Sequence, residues 1–219
     1  MLIKKISIGF VLFISAIISM QAQQYLDPEY IKVTQERSVK IVSGLHLDNT
    51  AKEEAVTHII AKQYQNLTML QDKRDGKVEV IKRNSNLSEE KQNKKIEKLK
   101  TKTDKAISKL HKSYLKQLAS QLNETQIDVV KDGMTYGVLP KTYTAFLEMI
   151  PSLNQEQKDY IYNNLKEARE KAMDGGSSKE KHAWFGKYKG KINNYLSSQG
   201  YNLQKERNNW YKRIEEKKR

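Results

Sequence analysis

The sequence predicts an all-α protein: a long antiparallel helical hairpin followed by a C-terminal bundle of shorter helices. Three observations carry this. Apolar residues recur at helical spacing along most of the chain, and no segment sustains the strict alternation of a half-buried strand. Capping residues, glycines and prolines fall where helices should begin and end. The 219 residues include no cysteine, so packing alone must hold the core.

A leader precedes the first helix. Lys4 and Lys5 stand before an unbroken apolar stretch from Ile6 to Ile18, and small and polar residues then lead to Ala22. This is the pattern of a signal peptide over residues 1–22, cleaved after Ala22. The apolar stretch, about 13 residues, is shorter than the roughly 20 that a membrane-crossing helix needs. The expectation is a periplasmic or secreted protein whose residues 23–219 form a single helical domain with no transmembrane segment.

Asp27 caps the first helix with Pro28 at its first position, Ile31, Val39, Ile41 and Val42 supply apolar side chains, and Gly44 closes it. Thr50 and Glu53 read as a capping box for the second helix, in which Val56, Ile59, Ile60, Tyr64, Leu67 and Leu70 recur at helical spacing. Asn84-Ser85-Asn86 reads as a turn. Ser88 then caps a long third helix with Ile96, Leu99, Thr103, Ala106, Leu110, Tyr114 and Leu118 on one stripe. Two long helices joined by a short polar turn make a hairpin over about residues 50–122. From Lys73 to Lys112 it carries 14 Lys or Arg against 6 Asp or Glu, a net of +8.

The remainder, about residues 123–219, is built from shorter pieces. Asn123 caps a helix that Gly133 should end, and Asp132 to Pro140, with two glycines and a proline, reads as a loop. Pro140 starts a helix through Met149. Asn154 caps the next as far as Met173, where Gly175-Gly176 interrupts. Ser177 with Glu180 opens another, ended by Gly200, and Asn202 caps the last. Of the 18 aromatic residues, 12 lie between Tyr136 and Tyr211, so this half is the aromatic one.

The whole sequence carries a net charge of +14. In a cytoplasmic protein such an excess would point to nucleic acid. An exported chain does not meet nucleic acid, so the charge points instead to acidic glycans, anionic surfaces or acidic client proteins.

The candidate binding residues are Tyr136, His182, Trp184, Lys187, Tyr188, Lys191, Asn194 and Tyr195. On a helix Trp184, Tyr188 and Tyr195 share a stripe, lysines and asparagines lie among them, and flat rings with cations and amides suit carboxylated sugars. Gly186 and Gly190, four apart, suggest that another helix or a ligand approaches that face closely. The Gly-flanked Tyr136 is expected to line a cleft with Trp184. His182, beside Glu180 and Asp174, is the one weak candidate for acid–base catalysis. The four histidines lack metal-ligand spacing, and no phosphate loop or nucleophile elbow is present, so no metal or cofactor is expected.

Two resemblances follow from particular residues. Leu122-Asn-Glu-Thr-Gln126 and Leu153-Asn-Gln-Glu-Gln157, with Leu87-Ser-Glu-Glu-Lys91 as a weaker copy, resemble the LTxxQ motif of periplasmic Spy- and CpxP-like proteins, ATP-independent chaperones and stress regulators. Asn stands where that motif has Thr. The longer segments Lys131–Pro140 and Ala172–Leu196 resemble an exported family found mainly in Bacteroidota, domain of unknown function 3826. That resemblance implies secretion and a setting among genes for complex polysaccharide use, and supplies no catalytic residues. The leading expectation is therefore a non-catalytic binding or accessory protein for acidic polysaccharide. A Spy-like chaperone for unfolded clients is the alternative, and a lyase or hydrolase on acidic sugars comes third.

Overall fold

The computed structural model describes residues 26–217, so the signal-peptide segment lies outside the described residues. Those residues form eight helices and no strand: α1 (Pro28–Ser43), α2 (Thr50–Lys82), α3 (Glu89–Ala119), α4 (Glu124–Met134), α5 (Val138–Met149), α6 (Gln155–Met173), α7 (Ser178–Ser198) and α8 (Leu203–Glu216). None of these helices is long and apolar enough to cross a membrane.

The caps explain most of the boundaries. Asp27, Asn49, Ser88, Asn123, Asn154, Ser177 and Asn202 each accept a hydrogen bond from a backbone N–H of the first turn. Asn123 with Gln126 and Asn154 with Gln157 close reciprocal capping boxes. Two starts differ from the sequence reading. Asn49, rather than Thr50, caps α2, its side chain accepting from Lys52 N–H at 2.9 Å. Glu180 reaches back past Ser177 to accept from the Gly176 N–H at 2.7 Å.

The expected loop from Asp132 to Pro140 shrinks to Thr135–Gly137, because Gly133 does not end α4. A Cβ at Gly133 would stand 2.8 Å from Ile41 Cγ1, so this glycine lets α4 close onto α1 from inside the helix. Pro140 lies in the first turn of α5, where a missing N–H costs no helical bond.

Helices α2 and α3 form the hairpin, with their predicted stripes turned inward. Val56, Ile60 and Leu67 of α2 are buried, as are Thr103, Tyr114 and Leu118 of α3. The hairpin divides along its length. No residue from 72 to 102 is buried, whereas its root joins α1 and α4 in a core of Val42, Val56, Ile60, Tyr114, Leu118, Val130 and Met134. Leu122 and Ile127, flanking the Asn123 cap, pack into that core as a hydrophobic staple. A second core gathers Leu139, Phe146, Ile161, Leu165, Phe185, Ile192 and Leu196 from α5, α6 and α7, with Trp210 of α8 against it.

Helix α1 differs from its apolar reading. Ile31 and Val39 are exposed, and α1 turns Thr34 and Ser38 inward with Val42. Both hydroxyls donate to carbonyls of their own helix, and Gln65 Nε2 of α2 donates to Thr34 Oγ1 at 3.1 Å. The buried hydroxyls are thus satisfied without an apolar stripe.

Candidate functional site

Two clefts lie near the turn between α6 and α7, and Gly175 lines both. The turn is held to the hairpin by Gln71, a buried α2 residue whose Nε2 donates to the Asp174 carbonyl at 3.0 Å. A Cβ at Gly176 would fall 2.1 Å from Gln71 Oε1, so glycine is what lets the turn sit this close.

The larger cleft, about 990 Å³, lies between α1, the α2 face carrying Tyr64, the α4–α5 link and the start of α7. Tyr30, Tyr64 and Tyr136 present rings to it, and Arg37, Lys40, Lys141 and Lys181 present cations. Among the described residues none of these four cations forms an ion pair with a carboxylate. Asp132 is the one acidic residue in the lining, and Arg169 holds it, Nη1 donating to Oδ1 at 2.8 Å. Arg169, 1% exposed, also binds Asp128 through Nη2.

Lys181 is only 6% exposed. Its ammonium donates to the carbonyls of Met134 at 3.2 Å and Met173 at 3.3 Å, the last residues of α4 and α6, and lies over the Tyr64 ring. The two helix C-termini give the charge partial compensation. Burial still dominates and pushes the amine down to about 8. Burial likewise raises the Tyr64 phenol.

Tyr136 stands at the mouth with φ +61° and is 47% exposed. Its N–H donates to the Gly133 carbonyl and the Gly137 N–H to the Asp132 carbonyl, so α4 ends in a Schellman motif with Tyr136 at the left-handed position. The end of α7 uses the same motif with Gly200 there, φ +91°. A bulky residue in that conformation costs about 1–2 kcal/mol relative to a right-handed one. Here the cost is borne by an exposed ring, stacked on His182 with centroids 5.6 Å apart.

The smaller cleft, about 710 Å³, has Arg74, Lys112, Lys171 and Lys187 with Trp184 in its lining, and four carboxylates: Asp104, Glu170, Asp174 and Glu180. Its four carboxylates offset its four cations in number, and His111, Glu170 and Asp174 are joined in one network. His111 meets Asp174 at 3.0 Å and Glu170 at 3.5 Å, and Lys131 meets Glu170 at 2.7 Å. Hydrogen bonds to Asp174 and Glu170 raise the His111 imidazole to about 9. Burial works to raise the Glu170 carboxyl, but the hydrogen bonds from His111 and Lys131 outweigh it and hold the group down to about 2.

The structure distributes the sequence-predicted residues instead of gathering them. Tyr136 and His182 do meet. Trp184 and Lys187 line the other cleft, with the Lys187 ammonium 5.3 Å from the indole. Tyr188 is buried in the second core with the Lys191 ammonium over its ring, Tyr195 stacks on Tyr160 at 3.8 Å, and Asn194 is exposed. The aromatic stripe of α7 therefore packs inward. Nothing lies within 4 Å of a Cβ at Gly186 or Gly190, so among the described residues no helix crosses there, and the helix crossing those glycines suggested does not occur. His182 Nδ1 meets the Ser178 carbonyl at 2.7 Å, and among the described residues no carboxylate hydrogen-bonds it. No described group of three His, Asp or Glu side chains is placed to hold a metal ion.

Sequence reasoning missed Lys181, Arg37, Lys40, Lys141, Tyr30 and Tyr64 as one surface, and the His111 network. The available signal was modest. Asp128 with Asp132 and Glu170 with Asp174 are carboxylate pairs four apart on helices, which need cations on the facing element.

The class these features define is an all-α protein with one cleft of balanced charge and one of tyrosines and cations that have no carboxylate partner among the described residues. Residues 31–216 match the model of the family described as "Protein of unknown function (DUF3826)", and the chain belongs to that family. A search among curated proteins finds no match.

Proposed function

We propose that this is an exported, non-catalytic binding protein for an acidic carbohydrate, held in the larger cleft. The observation that carries the reading is a set of four cations, without carboxylate partners among the described residues, beside three tyrosine rings. Aromatic faces stack on the apolar faces of sugar rings, and unpaired cations supply attraction for acidic substituents. The strained, exposed Tyr136 fits this use, since such strain concentrates at binding sites. The leader supports export, and outside the cytoplasm acidic polysaccharide is an abundant anionic partner.

The other two readings have less support. For an enzyme, among the described residues no carboxylate hydrogen-bonds His182 as acid–base work would use. For a chaperone, the outer hairpin offers unfolded clients little apolar surface. Val78, Ile81, Leu87, Ile96 and Leu99 are partly buried along its seam, and Val80, 70% exposed, stands apart from them.

Isothermal titration at low salt tests the proposal, with oligogalacturonate, a sulfated oligosaccharide and a neutral oligoglucan as probes. Binding of an acidic probe that weakens as salt rises, with none for the neutral probe, is the expected result. Absence of binding by both acidic probes at low salt would overturn the reading.

A further inference from the structure

Resting on that reading, we propose that the larger cleft is specific for a carboxylated sugar, a uronate, which sets its carboxylate on the Lys181 ammonium at the floor and lays its ring against Tyr136 at the mouth. The ammonium has three N–H donors, and two are used by the Met134 and Met173 carbonyls. The third has no oxygen partner, only the Tyr64 ring 5.6 Å away, on a side chain that is 6% exposed yet lines the cleft. The helix-capping contacts account for the position of Lys181. They leave a buried cation with one free donor and no carboxylate in contact, the arrangement that an arriving anion completes.

The neighbours select the kind of anion. A single free donor between two carbonyl oxygens suits a planar monoanion, which can accept one short charge-assisted bond through one oxygen. A sulfate ester spreads one charge over three oxygens, each a weaker acceptor than a carboxylate oxygen, and a phosphate ester adds a second charge facing the same carbonyls. The groups around the ammonium from each packed element are Arg37 of α1, Tyr64 of α2, Asp174 at the end of α6 and Glu180 of α7. Asp174 and Glu180 are committed elsewhere, to His111 and to the Gly176 N–H. Arg37 and Lys40 on α1 and Lys141 on α5 rim the cleft, where neighbouring carboxylates of an acidic chain would lie.

The binding signature is a proton. Burial holds the free amine at about 8, so near that pH roughly half of the molecules carry the charge. A carboxylate in contact favours the charged form, and binding at pH 8 therefore takes up about half a proton per site. Titration of the full chain with oligogalacturonate in two buffers of different ionisation enthalpy measures this uptake.

The expected results are uptake near that value at pH 8, its loss in Lys181→Met, and at least a thirtyfold weaker affinity in that variant with helicity retained. The sulfated probe should bind at least tenfold more weakly than oligogalacturonate. Unchanged affinity in Lys181→Met would overturn the Lys181 assignment while leaving an acidic-carbohydrate protein. Equal affinity for the sulfated probe would overturn the carboxylate specificity alone. If Lys181→Met fails to fold, the parent protein decides, because binding without proton uptake overturns the proposal. No binding of either acidic probe would instead remove the reading on which the proposal rests.

Discussion

The two clefts draw on the same residue types and finish with opposite electrostatics. In the smaller one four carboxylates offset four lining cations, and a network joins His111 to Asp174 and Glu170, with Lys131 on Glu170. In the larger one the single carboxylate is taken by Arg169, leaving Arg37, Lys40, Lys141 and Lys181 facing the space unpaired. A satisfied network orients helices and asks nothing of a ligand. A set of unsatisfied cations lowers stability slightly and pays for itself only on binding. The difference separates scaffold from site in a fold where composition does not.

The largest expected effect comes from removing the residue that keeps the two clefts different. Arg169→Met would free Asp132 to face the cations of the larger cleft, and would leave Asp128 and Asp132 without their counter-charge. Loss of one partner of a buried ion pair costs about 3–5 kcal/mol, and the partial exposure of both aspartates puts this case at about 3. Urea unfolding should show that loss, and oligogalacturonate affinity should fall as well. A variant as stable as the parent would mean that the Arg169 network does not hold α4 to α6.

The second test uses pH, because the clefts contribute with opposite sign. The His111 imidazole is raised from 6.5 to about 9, so its stabilisation is fully present below pH 6.5 and is lost as pH rises through 9. The Lys181 amine is lowered from 10.5 to about 8, so its penalty is fully present below pH 8 and is relieved between there and 10.5. Stability should fall by about 1 kcal/mol between pH 6.5 and 8, then level as the two effects offset. Thermal melts of His111→Gln should lack the fall, and those of Lys181→Met should lack the relief. A parent protein whose melting temperature is flat over pH 6.5–8 would break the contrast.

The fold was largely legible because helix starts are local. Asn123, Asn154 and Ser88 announce their helices within four residues, and the stripes of α2 and α3 follow from spacing alone. What misled was also local. Gly133 and the Gly186–Gly190 pair look alike in sequence, yet one admits Ile41 and the others face open space. The site was less legible because its residues come from α1, α2, α5, the start of α7 and the α4–α5 link, far apart in the chain. Lys181 does not stand out from the aromatic residues beside it, since nothing in the run Ser178–Ser198 says which lysine turns inward. Tyr136 was the exception: a tyrosine ahead of glycine at a helix end stands out wherever the neighbouring sequence signals a turn.

Tyr136 also supplies the finest test of the contrast. If it is held in a left-handed conformation to serve the cleft, then Tyr136→Gly relieves that strain while forfeiting the stack on His182 and some unfolded-chain stiffness. These effects nearly cancel, so stability should stay within about 1 kcal/mol of the parent, while affinity for oligogalacturonate drops at least tenfold. Truncating a packed aromatic such as Phe185, 1% exposed in the second core, would instead cost about 3–5 kcal/mol. A Tyr136→Gly loss on that larger scale, seen in denaturant midpoints, would make the ring part of the scaffold. Affinity that survives the substitution would leave the cleft to its cations alone, with the tyrosine strained for a reason unrelated to sugar.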